Sequence, residues 1–159
     1  MTKLLPFQRE ANFIGGEWIG ADSGKTFEVT NPATGDVIGT VPAVGTAETR
    51  RAIEKADAAF GEWSSRTAAS RAEILRKLAA AIDRNKEDLA RLLTTEQGKA
   101  LAEARGEVGL SAQYVLWFSE EARRVYGDTI PSPWPERRIM VIKQPVGVVA
   151  AITPWNFPT

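Results

Sequence analysis

The chain has 159 residues, 43% apolar and 25% charged, the balance of an ordinary soluble domain long enough to bury a core. Its 20 Lys and Arg match its 20 Asp and Glu, so no whole-chain field favours nucleic acid or an anionic membrane surface. With neither Cys nor His, it excludes a disulfide framework, zinc sites built on those ligands, and Cys–His or Ser–His catalysis within this segment.

No basic start followed by an apolar stretch of signal-peptide type appears, and no apolar run approaches about 18 residues. The expectations are no metal, no nucleic acid, no membrane partner and a cytoplasmic location.

Residues 1–11 read as a loosely held arm. Asn12-Phe13-Ile14 and Glu17-Trp18-Ile19 flank Gly15-Gly16 and predict a β-hairpin. Two more short strands are expected at 27–29 and 37–41, joined by the turn-forming residues Asn31-Pro32-Ala33-Thr34-Gly35-Asp36. Such small β elements bury little alone and are expected to lie against a larger body.

Helical periodicity follows. Thr46 is the predicted cap of a first helix, with Glu48 in its positive first turn. The expected apolar face of that helix is Ala52, Ile53, Ala56, Ala59, Phe60 and Trp63. Ser70 and Glu73 form a capping-box pattern for a second helix, whose stripe is Ile74, Leu75, Leu78 and Ile82. Asn85 is placed to cap a third, which buries Leu89, Leu92 and Leu93 and stops near Gly98. A fourth is predicted over 101–125, with Val108, Ala112, Val115, Phe118 and Ala122 on one face. Gly127 marks its exit, and 128–135, with Pro131, Pro133 and Pro135, reads as an irregular connection. A strand is predicted over 138–144.

The run 146–152 is apolar and rich in β-branched residues, which suits a strand buried on both faces of a parallel sheet. Such a strand needs a crossover and a partner, and neither follows, so the chain reads as the front part of something longer. Thr153-Pro154 ends the run. Ligands of open α/β sheets sit just beyond strand carboxyl ends, and here that position holds Trp155, Asn156 and Phe157. A neutral amide has two N–H donors and no charge to neutralise, so Asn156 is suited to an oxygen that turns negative during reaction. The competing reading is a turn residue bonded to its own backbone.

Other candidates read as structural. Glu103 and Glu107, spaced i, i+4 near Arg105, are expected on a solvated face. Gly98 reads as a helix terminator and Lys99 as a solvated cation. Trp117 and Phe118 fall on an apolar helix stripe, the usual signature of core. Neither G-x-G-x-x-G nor a Walker pattern occurs.

The segment Ile152-Thr153-Pro154-Trp155-Asn156-Phe157-Pro158 resembles the signature of the aldehyde dehydrogenase superfamily. Gly16-Glu17-Trp18, Asn31-Pro32-Ala33-Thr34-Gly35, Tyr126-Gly127-Asp128-Thr129-Ile130-Pro131 and Ile142-Lys143-Gln144-Pro145-Val146-Gly147-Val148 extend the likeness over essentially the whole chain. It is greatest to the branch acting on succinate semialdehyde, with relatives acting on glutarate semialdehyde as the alternative. The resemblance implies an α/β fold of aldehyde dehydrogenase type: small β hairpins, four helices and the first strand of a parallel sheet. Residues 1–125 would form the front of the NAD(P)-binding domain, 126–145 part of an oligomerisation arm, and 146–159 the first core strand and active-site loop.

It further implies NAD or NADP as cofactor, a small aldehyde as substrate and a homo-oligomer, dimer or tetramer. Asn156 would stabilise the oxyanion formed when a Cys thiolate attacks the aldehyde. Ile152, Thr153, Pro154, Trp155 and Asn156 would border the cofactor, Phe157 would line the aldehyde tunnel, and Trp117 gains weight as a pocket residue. The nucleophilic Cys and the general-base Glu would lie beyond Thr159. A catalytically inactive interaction module is the reading from a different class.

Overall fold

The computed structural model describes residues 6–159. Gly15 and Gly16 take φ of +63° and +90°, which lets β1 (Asn12–Ile14) fold directly back onto β2 (Glu17–Ile19). The register sets Phe13 opposite Trp18, with ring centroids 5.0 Å apart. β3 (Thr26–Thr30) and β4 (Val37–Pro42) form a second antiparallel pair. In their turn the Asn31 side chain accepts from Ala33 N–H at 2.9 Å and the Asn31 carbonyl accepts from Gly35 N–H at 2.7 Å.

The residues just before β1 are not a free arm. Gln8 is buried, and its amide donates to the Ile38 carbonyl at 2.7 Å. Glu10 accepts from the Thr40 N–H at 2.8 Å. The remainder of the expected arm, 1–5, lies outside the described residues.

Four helices follow: α1 (Thr46–Ser65), α2 (Ala68–Arg84), α3 (Lys86–Gln97) and α4 (Leu101–Glu121), the last closed by a 3₁₀ turn, Ala122–Arg124. Their caps differ from the sequence expectation. Gly45, not Thr46, precedes α1, and the Glu48 carboxylate accepts from the Gly45 N–H at 3.0 Å and the Asp22 N–H at 2.9 Å. Arg51 adds a two-pronged pair to Asp22, at 2.6 and 2.7 Å, so polar contacts hold the start of α1 to the β2–β3 loop. Thr67 caps α2 by accepting from Ser70 N–H, while Glu73 pairs with Arg76. Asn85 turns back to donate to the Ala81 carbonyl at 2.7 Å, closing α2 instead of capping α3. Glu87 and Asp88 stand in the first turn of α3, where its dipole favours them.

The core lies where α4 packs along α2 and α3. Its buried apolar residues are mostly alanines, Ala72, Ala79, Ala90, Ala104 and Ala112, with Leu93 and Val108. Ile82, Leu89 and Leu101 flank that cluster. Small side chains let helix axes approach closely, but each contributes little apolar area. The larger residues expected inside are on the surface: Ile53, Trp63, Ile74, Leu78 and Phe118 are all exposed. On α4 the inward position beyond Ala112 is taken by Ser119, fully buried with its hydroxyl donating to the Leu116 carbonyl.

Two expectations near the end of the chain need correction. Residues 128–130 are not irregular: β5 (Asp128–Ile130) pairs antiparallel with β6 (Ile139–Val141). Gly127 serves that pairing, since a β-carbon there would stand 2.1 Å from the Val141 carbonyl oxygen. The strand predicted over 146–152 forms no ladder, and Val146 and Ile152 are 90% and 95% exposed. A strand satisfies its backbone only through a neighbour, and among the described residues none lies beside it.

Candidate active-site loop

Residues 154–159 are laid across the corner between α3 and α4. Pro154 ends the extended stretch, and the Phe157 N–H donates to the Pro154 carbonyl at 3.2 Å, closing a turn that carries Trp155 and Asn156 at its tip. Gly98 makes the corner. Its φ of +81° ends α3 in the left-handed region, where the Gly98 N–H caps the Thr94 carbonyl.

From that corner Lys99 reaches back under the loop. Its ammonium pairs with the Glu107 carboxylate, donates to the Asn156 carbonyl at 2.5 Å and lies 4.2 Å from the centre of the Phe157 ring. Glu107 Oε1 in turn accepts from the Thr159 N–H at 3.1 Å and the Thr159 hydroxyl at 2.9 Å. The Gln97 amide donates to the Trp155 carbonyl at 3.3 Å. The ion pair is withdrawn from water, with side-chain exposures of 10% for Lys99 and 3% for Glu107. Burial by itself would raise the Glu107 carboxyl. The Lys99 ammonium and the Thr159 amide and hydroxyl outweigh that and hold it below the usual carboxylate range.

Beneath the loop runs a groove of about 430 Å³, lined by Leu89, Leu92, Val108 and Pro158 and edged by Glu96. Burial pushes the Glu96 carboxyl up.

The structure brings Trp155, Asn156 and Phe157 together on one clamped turn. The Asn156 side chain is exposed and makes no hydrogen bond among the described residues, so it does not bond its own backbone. Ile152 and Thr153 likewise leave their backbone groups unbonded there. Trp117 is 60% exposed rather than core, and lies about 15 Å along α4 from Glu107.

Lys99 and Glu107 are the residues that sequence reasoning misassigned. Glu103 is exposed as expected, but Glu107 is 5% exposed and Lys99 is its buried partner. The signal was present: Glu107 stands between Ala104, Val108 and Ser111, on the inward side of α4, where a carboxylate requires a partner.

Among the described residues no group of three or more acidic, Cys or His side chains is placed to hold a metal, and no helix is long and apolar enough to cross a membrane.

A helical layer with small antiparallel strand pairs, ending in a clamped Pro-Trp-Asn-Phe-Pro turn, makes an α/β arrangement. The chain belongs to the aldehyde dehydrogenase family, whose pattern it matches over residues 18–159. It is 60% identical over 150 residues to glutarate-semialdehyde dehydrogenase of Pseudomonas putida, covering 94% of this chain and 31% of that protein. It is 52% identical to the NADP(+) succinate-semialdehyde dehydrogenase of Escherichia coli, with the same two coverages. The crystal structure of succinate-semialdehyde dehydrogenase from Burkholderia pseudomallei superposes with a TM-score of 0.91 at 57% identity, over 94% of this chain and 31% of that one. The chain thus spans about a third of the length of these relatives.

Proposed function

We propose that this chain is the N-terminal part of an NAD(P)-dependent aldehyde dehydrogenase acting on a small semialdehyde, and that Asn156 stabilises the oxyanion. The observation that carries the reading is the Asn156 amide: exposed, without a partner among the described residues, on a turn fixed through its backbone. A donor held ready and unspent is what a developing negative oxygen requires.

Succinate semialdehyde and glutarate semialdehyde are the two substrate candidates. The relatives quoted above that are named for them lie at 52–57% and 60% identity, which supports a short dicarboxylic semialdehyde without ranking succinate first.

The segment 152–155 suits one end of a nicotinamide cofactor. Ile152 and Thr153 have backbone groups unbonded among the described residues, and Trp155 is 82% exposed, so this stretch has both amide partners and an aromatic face to present. When bound, the cofactor supplies the hydride acceptor. Phe157, 53% exposed beside Asn156, is assigned to the wall of the aldehyde path, and Trp117 to a more distant part of it.

Residues 126–145 are assigned to an oligomerisation arm, because β5 and β6 form a hairpin exposed at every position and present edges for another subunit of a homo-oligomer. Residues 1–125 and 146–159 are assigned to the NAD(P)-binding domain. A cytoplasmic location completes the reading.

Steady-state kinetics on the complete enzyme test it. Asn156→Ala removes a contact made mainly in the transition state and is expected to lower kcat by about 10²–10³, roughly 2.7–4 kcal/mol. KM is expected to change much less. Trp155→Phe is expected to alter cofactor KM with a smaller effect on kcat. A folded Asn156→Ala enzyme with kcat near that of the parent, chemistry being rate-limiting, removes the oxyanion role.

A further inference from the structure

We propose that Lys99 and Glu107 are positioning residues for the Asn156 amide: a buried ion pair that fixes the Asn156 peptide while leaving its side chain free to donate. The inference rests on the oxyanion role argued above and adds two residues to it.

The argument begins with the donors of Lys99. An ammonium has three N–H groups. One meets the Glu107 carboxylate, one the Asn156 carbonyl at 2.5 Å, and the Phe157 ring face lies 4.2 Å away for the third. No donor is left over for a reacting oxygen, and Glu107 neutralises the charge. Lys99 therefore acts through the backbone of Asn156 and not on the substrate.

Glu107 closes the other side of the clamp. Its second oxygen takes both the amide and the hydroxyl of Thr159, three residues past Asn156. The loop is thus held at 155, 156 and 159, by Gln97, Lys99 and Glu107. The Asn156 side chain is the polar group the clamp leaves alone. Exposed turns are ordinarily mobile, whereas an oxyanion donor must be held in place before the charge develops. A displacement of about 1 Å in such a group can cost about 10²-fold in rate.

A purely structural staple has the same contacts, so the test must separate the two roles. It is a double-mutant cycle on the complete enzyme with Lys99→Met, Asn156→Ala and the double variant, together with thermal melts. If Lys99 works through Asn156, Lys99→Met lowers kcat by about 10- to 100-fold with aldehyde KM within about threefold. Once Asn156 is gone there is no amide left to misplace, so the double variant is then no slower than Asn156→Ala alone. A structural staple predicts instead that the two losses multiply, or that Lys99→Met lowers Tm and leaves the kcat of the folded fraction intact. Either result overturns the proposal.

If Lys99→Met does not fold, Glu107→Gln decides by the same cycle, because it keeps the shape and the acceptor oxygen for Thr159 while removing the charge. The two levels of the reading fail separately. Loss of kcat in Asn156→Ala with none in Lys99→Met and Glu107→Gln defeats only the positioning role. Full kcat in Asn156→Ala defeats the oxyanion role and this inference with it.

Discussion

Pro32, at the tip of the β3–β4 turn, lies so close to Gly98 that a β-carbon on the glycine would stand 2.8 Å from the Pro32 Cγ. The same glycine has φ of +81°, where an L side chain is strained. Gly98→Ala therefore meets two penalties at once, and the predicted loss of stability is about 2 kcal/mol. For a chain of this size that is roughly 4–8 °C in Tm. Gly35 is the control: its φ is +77°, but a β-carbon there would have no described residue beyond its chain neighbours within 4 Å. Gly35→Asn is expected to cost under about 1 kcal/mol, since Asn tolerates this region. Equal losses at the two sites would show that Pro32 contributes nothing.

The elements most readable in the sequence were those fixed by local chemistry. Gly15-Gly16 gave the hairpin and Gly98 the end of α3, because only glycine meets those backbone angles cheaply. The apolar repeat on α4 located Val108 and Ala112 in the core. Cap identity was less legible, because Asn85 has two helix ends within reach and its amide closes α2. The inward position of Glu107 was legible, but what it pairs with was hidden for a different reason. Its partners, Lys99 and Thr159, lie eight residues before it and fifty-two after it, separations that no periodicity reports. Residues 146–152 show the opposite failure: composition alone predicted a strand, but pairing is a property of two segments, not one.

The ion pairs set a direction for acid sensitivity. Hydrogen bonds from Arg105, then Arg91, hold the Glu87 carboxyl down at about 2, linking α3 to α4. Asp22, Glu48 and Glu107 are also held below their ordinary values, by Arg51, by the Asp22 and Gly45 amides, and by Lys99 with Thr159 against the pull of burial. A carboxyl whose folded pKa lies below its unfolded value, near 4.5 for Glu, stabilises the fold above that value. The contribution is lost as pH falls towards the folded value. Glu96, raised by burial, works the other way: it favours the fold as pH falls towards its unfolded value and adds no slope below that. Tm followed by circular dichroism is thus predicted to be level near neutral pH and to fall between about pH 4.5 and 2. Glu87→Gln is predicted to flatten that slope. A parent chain with unchanged Tm across the window would mean these pairs do not couple to folding.

The isolated 159-residue chain is predicted to oxidise no aldehyde, because it contains no Cys to form the covalent adduct that the proposed reaction requires. The measurement is NAD(P)H absorbance with succinate semialdehyde and with glutarate semialdehyde. Turnover that survives removal of contaminating full-length enzyme would mean that the nucleophile has been wrongly assigned.

The isolated chain is also predicted to associate with itself. A compact monomer of its mass exposes about 7,800 Å², against 11860 Å² observed. Exposed apolar residues on that surface include Trp117 and Phe118 on α4, Val149 and Ile152 before the 154–157 turn, and Met140 and Ile142 in and beside β6. Two kinds of backbone edge accompany that surface. Among the described residues, 146–152 leave their N–H and C=O groups without a ladder, and the β5–β6 hairpin has no further strand on either outer side. Apolar surface beside unpaired backbone is the combination that templates strand addition between chains. Sedimentation velocity at neutral pH is expected to show species heavier than a monomer, growing with concentration. Val149→Ser with Ile152→Lys is expected to reduce them, because it removes two apolar side chains and adds a charge to the free edge without touching the helical core. If that variant associates as the parent does, the hairpin is the sticking edge. A single concentration-independent monomer boundary for the parent would show that the exposed run closes on itself in solution.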